Sequence, residues 1–390
     1  MKKFMTLFLT IGILIFPMGI GSLQKARAAE PIKIGTLLDL TGPMAFLGPL
    51  LKSGIVKALE EVNYTVAGRK IELIAEDTAN DMNVSLEKTK KLVELDKVHI
   101  ILGPLMGDAQ MAIAPYLADK KVLASTFYSG TGELHTKFKN WLNYPTTLVG
   151  MTIPLGYYAA ELGYKEIITL GGDYEGGRGF IQGIKLGFEA KGGKVIQQIW
   201  TPVGTTDFGP YLSMLKKADC LAYFVPAPPE QVRLLKQRKE FGIKIPVLGT
   251  ILTGQLVDPI LAELGDIAVG LQGQAVYVAS RKDPLNEKWV AEMTKQFGHP
   301  PGDFESNSYA ITKAVLAGLK ATNGDDSFNK LWPAVLKVKI NTPQGPLAFS
   351  QEGVAIVNGY IVEVKKKEGK YYFDIVKTYE KVVDPTMKKK

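Results

Sequence analysis

The strongest constraint on this chain is an alternation of short β-prone runs and helical patterns that runs once, breaks, and starts again. Residues 32–40 are apolar and β-prone, and residues 55–62 repeat apolar side chains at helical intervals. A strand over 71–76, a helix over 84–95, a short apolar strand over 98–102, a helix over 109–118 and a strand over 122–126 follow. Strand–helix–strand order of this kind predicts a parallel sheet covered on both faces by its crossover helices. The pattern resumes with strands at 166–170, 195–200, 221–225 and 245–248, separated by helices at 179–190, 211–217 and 231–241. Two doubly wound α/β units are expected, with a break at 144–151, where Pro145, Thr146 and Thr147 interrupt the pattern. The last third differs. A run at 277–280 and helices at 286–297 and 308–322 read as additions to an existing unit. Alternating runs at 356–363 and 371–379 flank Lys367-Glu368-Gly369 as a hairpin.

The start of the chain sets the compartment. Lys2 and Lys3 precede an apolar stretch over 4–20, and Ala26-Arg27-Ala28 supplies a small-x-small exit, the three parts of a secretory signal peptide. Cleavage is expected after Ala28, with release into a periplasm. Pro17 and the glycines argue against an uncleaved anchor. Cys220 is the only cysteine, which rules out an intramolecular disulfide framework, and its apolar surroundings read as a core strand. Of the +8 formal charge, Lys2, Lys3, Lys25 and Arg27 supply four, so the rest of the chain carries +4 without a dense basic stripe. A nucleic-acid partner is not expected.

Ligands of open parallel sheets bind at loops leaving the carboxyl ends of strands. Here those loops are residues 39–48, 103–108, 125–130, 171–177 and 226–230, and they combine glycines, hydroxyls, carboxylates and aromatics. That mixture suits a small, partly apolar ligand held by a few fixed hydrogen bonds. Catalytic patterns are missing. Gly177, Gly179 and Gly183 do not have dinucleotide-fingerprint spacing, and no G-x-S-x-G elbow or phosphate loop occurs. His99, His135 and His299 are scattered without a metal-ligand partner at useful spacing.

The opening "IKIGTLLDLTGPMAFLG", the "ILGP" strand end, the "GGDYEGGRG" turn and "PEQVRLLKQRKEFGIKIP" resemble the periplasmic binding proteins of branched-chain amino-acid ABC importers, in order and over nearly the whole mature chain. The resemblance implies two Rossmann-like doubly wound lobes joined by a three-strand hinge, the type I architecture, with the ligand in the cleft. It further implies closure by the hinge, recognition by an ABC permease of the inner membrane, no catalysis and no cofactor. The lobes are then expected at 29–148 plus 277–345 and at 149–276 plus 346–390. Carried over one position at a time, Phe127 offers its backbone and Ser129 its hydroxyl to a ligand carboxylate. Tyr174 matches an aromatic that closes over the ligand, and Glu230 matches an acid that pairs with a ligand ammonium. The family's serine after the "ILGP" strand end is replaced by Gly107, beside the apolar Leu105 and Met106. A buried charged head group needs its hydrogen bonds nearly complete, so this loss weakens the case for an ordinary α-amino acid.

The expected ligand set is Phe46, Leu105, Met106, Gly107, Ser125, Phe127, Tyr128, Ser129, Tyr174, Glu230, Thr253 and Tyr277, with no catalytic residue and no metal. Several of these have plainer readings. Glu230 also suits the first turn of a helix, where it complements the dipole. Tyr309, on a helical face with Ala310 and Ala314, equally suits a core. The functions in play are capture of an apolar amino acid or related carboxylate for import, capture of an aromatic acid on the same scaffold, and ligand sensing. A secreted enzyme on this fold is disfavoured by the missing catalytic set.

Overall fold

The computed structural model describes residues 30–128, 133–250 and 257–387. The leader, Ser129 and Thr253 lie outside these residues. The first unit runs β1 (Ile32–Leu38), α1 (Leu47–Glu60), β2 (Thr65–Val66), β3 (Arg69–Asp77), α2 (Met82–Lys90), β4 (Ile100–Leu102), α3 (Gly107–Asp119), β5 (Leu123–Ser125), α4 (Leu134–Lys137) and β6 (Trp141–Leu142). The second runs α5 (Leu148–Glu161), β7 (Glu166–Gly172), α6 (Glu175–Ala190), β8 (Lys194–Thr201), α7 (Gly209–Ser213), β9 (Cys220–Phe224), α8 (Pro228–Glu240), β10 (Val247–Thr250), α9 (Val257–Leu264) and β11 (Gln272–Ala275). The chain ends with α10 (Pro284–Phe297), α11 (Asp303–Ala321), α12 (Phe328–Leu336), β12 (Lys339–Thr342), β13 (Gly345–Phe349), β14 (Ala355–Lys367) and β15 (Lys370–Val382).

Among the described residues the strands form two sheets. In the first, β3-β1-β4-β5-β6 are parallel and β2 is an antiparallel edge. In the second, β8-β7-β9-β10-β11 are parallel and the antiparallel β14 closes the edge, carrying β15 and β13. Each unit starts with a strand whose successor packs on one side and whose next neighbours pack on the other. This is the doubly wound order that the alternating pattern predicts. The predicted hairpin is present, with Lys367 opposite Lys370. In the middle of the second sheet β9 is buried along its whole length, as a strand covered on both faces must be, and burial pushes the Cys220 thiol up to about 12.

Among the elements that escape the periodicity are helices α1 and α5. Helix α1 begins at Leu47, well before the apolar repeat at 55, without a side-chain cap to announce it. Helix α5 occupies part of the expected break. It is capped by Thr147, whose Oγ1 accepts from the Gly150 amide at 2.9 Å, and it is buried over Gly150–Gly156. A helix buried nearly all round has no polar face to set a period. It packs on α6 so closely that a Cβ at Gly183 or Gly187 would strike the carbonyl oxygen of Val149 or Ile153. The spaced glycines of α6 are thus a helix-packing face.

The chain passes between the sheets three times. After the first passage at 143–147, the second alternates its side chains: Val276 and Val278 enter the cores of the second sheet while Tyr277 enters the core of the first. The third lies later than the expected division at 345/346. Leu347, Phe349, Ala355 and Val357 still pack with the first core, and Ile361, Val362 and Val364 with the second. The reason is β14, a strand of 13 residues that begins under one lobe and ends in the sheet of the other. No helix among the described residues is long and apolar enough to cross a membrane.

Candidate functional site

Because the two parallel blocks wind alike, the carboxyl ends of β1, β4 and β5 carry loops into α1, α3 and the segment after Ser125, while β7 and β9 lead into α6 and α8. The N-termini of α3, α6 and α8 bring unpaired amides and positive helix dipoles to these strand ends.

On the first-lobe side, Ser125 ends β5 with no exposed surface, and its Oγ has no hydrogen-bond partner. Phe127 is also fully buried, and its ring serves the core. A Cβ at Gly103, which has φ +91°, would lie 2.6 Å from Phe127 Cε2. Its side chain therefore packs inward, so what it offers a ligand is backbone. Tyr128 touches the cores of both lobes. Its ring stacks on Phe304 at 5.1 Å, and its hydroxyl donates to Asp303 Oδ2 at 3.5 Å. Burial first, then the Asp303 carboxylate, raises the Tyr128 pKa well above its ordinary value, so it stays a neutral donor. Leu105 packs against the first core, and Met106 and Gly107 open α3. Gln110 locks this loop by donating from Nε2 to the carbonyls of Pro104 and Leu105, each at 3.0 Å.

On the second-lobe side, Tyr174 precedes α6 in an extended conformation, its ring 6.4 Å from Phe224. Glu230 lies in the first turn of α8 with 3 % of its surface exposed. Its Oε1 accepts from the Gly204 amide at 2.5 Å, and its Oε2 has no partner. Burial raises the Glu230 pKa, opposed by the Gly204 amide and Arg233. Burial and then the Glu230 charge raise that of Tyr174. The Tyr174 hydroxyl also acts electrostatically on Tyr128, and Glu230 on Tyr174, so these side chains approach one another from the two lobes. Helices α3 and α6 also bring two carboxylates near each other, Asp108 and Glu175. Burial and then Asp108 raise the Glu175 pKa.

Other expected residues sit elsewhere. Tyr277 is fully buried, its hydroxyl donates to Asn286 Oδ1 at 3.0 Å, and its ring meets Trp289 edge-on at 5.7 Å. The alternation of the second crossing turns it into the first core. Phe46, just before α1, is 47 % exposed. Tyr309 belongs to the core and donates to Glu61. Asp173 is paired with Arg178, whose guanidinium lies 4.8 Å from the Trp200 ring centroid. Asp303 and Phe304 were not singled out from sequence. The available signal is Gly302 followed three residues on by Glu305, whose Oε2 accepts from the Gly302 amide at 3.0 Å and sets the start of α11. Among the described residues no three His, Cys, Asp or Glu side chains gather closely enough to hold a metal ion. A hollow lined by Thr146, Ser350, Glu352 and Asp384 lies behind the third crossing and includes none of the expected ligand residues.

The site thus joins aromatic surfaces, one open carboxylate oxygen and one open hydroxyl in a place shielded from water, which is the composition of a binding cleft. Comparison with known proteins agrees. The family model described as periplasmic binding protein matches residues 31–370. The Leu/Ile/Val-binding protein homolog 6 of Brucella suis is 27 % identical over 93 % of this chain and 95 % of its own. A solute-binding protein of an ABC transporter from Rhodopseudomonas palustris BisB5, solved with 3,4-dihydroxybenzoic acid, is 30 % identical over 92 % of this chain and 99 % of its own, with a TM-score of 0.82. A second R. palustris solute-binding protein, solved with 4-hydroxybenzoate, is 26 % identical over 92 % of this chain and all of its own, at the same TM-score of 0.82. The chain therefore belongs to the periplasmic binding protein family, as an ABC solute-binding protein.

Proposed function

We propose that the protein captures a small aromatic carboxylate bearing a hydroxyl group in the cleft between its lobes and delivers it to an ABC permease. The observation that carries this reading is Glu230: a carboxylate 3 % exposed whose Oε2 lacks a donor, beside Tyr174 and the stacked pair Tyr128–Phe304. A buried carboxylate oxygen without a partner is costly, and a ligand hydroxyl donating to it removes that cost. The ligand's own carboxylate would meet the first lobe, at Ser125, Ser129 and the backbone of Phe127, with the amides that open α3 nearby. The aromatic walls, and Gly107 where the family has a serine, favour a flat ring over a compact α-amino acid. The ligands present in two similar solved structures, 3,4-dihydroxybenzoic acid and 4-hydroxybenzoate, point the same way.

A second reading keeps an apolar amino acid as ligand, its ammonium donating to Glu230; the likeness to Leu/Ile/Val-binding proteins favours it. In both readings the leader at 1–28 directs export to the periplasm, the ligand stabilises closed lobes by touching both, and no turnover occurs. Thermal unfolding of the mature protein against 4-hydroxybenzoate, 3,4-dihydroxybenzoate, benzoate, leucine and valine separates them. A ligand that binds only the folded state raises the melting temperature as its concentration passes Kd. A rise with the hydroxybenzoates alone supports the first reading, and a rise with leucine or valine alone replaces it with the second.

A further inference from the structure

We propose that Gly176, which has no side chain to touch a ligand, sets the width of the cleft by giving the Tyr174 ring a flat surface to lie on; this rests on the reading of the cleft as the ligand site. Tyr174 stands directly before α6, and its ring folds back over the first turn of that helix. A Cβ on Gly176 would lie 2.6 Å from Cε2 of the ring, 3.0 Å from Cζ and 3.1 Å from the hydroxyl oxygen. Gly172 and Gly177 border the other edge, each with a would-be Cβ 3.2 Å from Cε1.

The three glycines are not equivalent. A Cβ on Gly177 would collide with the carbonyl oxygen of Gly172, so Gly177 is required by the backbone of the turn. The three atoms nearest a Cβ on Gly176 all lie at the far end of a movable side chain. Nor does its backbone call for glycine, because it is absent from the positive-φ positions and lies inside the first turn of α6, where alanine is the better helix former. The remaining reason for glycine is the ring. The outer end of that ring has α6 on one side, Glu230 of its own lobe near its hydroxyl, and Tyr128 of the other lobe facing it. A methyl on Gly176 therefore displaces the hydroxyl end away from α6 and into the space a ligand would use.

The test is a double-mutant cycle between Gly176→Ala and Tyr174→Ala, read by calorimetric titration with 4-hydroxybenzoate and 3,4-dihydroxybenzoate, alongside a crystal structure of Gly176→Ala. The expected result is a loss of about tenfold in affinity for Gly176→Ala, larger for the dihydroxy acid, that disappears in the Tyr174→Ala background. The crystal structure is expected to show the ring lifted from α6. An equal loss in both backgrounds overturns the proposal, as does a Tyr174 ring in its original place. If the unaltered protein binds neither acid, the hydroxybenzoate reading fails on its own, and the ring position in Gly176→Ala still decides this one.

Discussion

The two walls of the cleft are built from different materials. The first-lobe wall rests on β5, a strand of three residues, and what it presents is the open Oγ of Ser125, the backbone after it and the outer side of Tyr128. The second-lobe wall presents two long side chains, Tyr174 and Glu230, each launched from the start of a helix. Main-chain groups and small hydroxyls recognise a feature shared by many ligands, such as a carboxylate, and resist change by substitution. Long side chains can be exchanged one by one. The contrast suggests that the first wall holds the common end of the ligand and the second selects among ligands.

The sharpest way to break this comparison is Glu230→Ala. It is expected to lower affinity for a hydroxybenzoate by about 2–3 kcal/mol, roughly a hundredfold in Kd, in calorimetric titration. Affinity of benzoate, which lacks the donor, should change far less. The free protein should respond in the opposite sense. Burial holds the folded-state pKa of Glu230 above its ordinary 4.5, so its stabilising contribution is complete below that value and is lost as pH rises through the folded pKa. Glu230→Gln, always neutral, should therefore melt at or above the unaltered protein near neutral pH and converge with it near roughly pH 4. A lower melting temperature at neutral pH would mean that the carboxylate is internally compensated and not waiting for a ligand.

Tyr128→Ala tests the first wall's link to the second. The half-buried ring contacts both cores and stacks on Phe304, so its loss should cost roughly 2 kcal/mol of stability by denaturant unfolding, below the range for a fully buried aromatic. A smaller loss would make Tyr128 a lid rather than a bridge. The smallest effect belongs to Ser125→Ala. Its hydroxyl has no partner to lose, so stability should hold, while affinity for every carboxylate tested should fall by about 1 kcal/mol without a change in rank order. A change in rank order would assign selection to the first wall and reverse the comparison.

Legibility in the sequence followed local regularity. Most strands and helices of both doubly wound blocks, the hairpin at Lys367–Lys370 and the strand-end loops carrying Tyr128, Tyr174 and Glu230 stand in the pattern of residues, whereas β6, α9 and β11 do not. Helix α5 was hidden because burial on nearly all sides erases its period. That Tyr277 packs with the first core while Val276 and Val278 pack with the second follows from the alternation of a crossing segment, which its neighbours in sequence do not announce.

The amino-acid sequence by itself determined the winding of the two lobes, because hydrophobic period and strand–helix order act within a few residues of each position. The tertiary structure alone decided the site. The Tyr128 hydroxyl reaches an Asp303 carboxylate 175 positions away, and Glu230 is left with one oxygen satisfied by Gly204 and the other open. Such contacts depend on how helices and sheets pack after they have formed, and no local pattern encodes which distant partner arrives or which polar atom is left for a ligand.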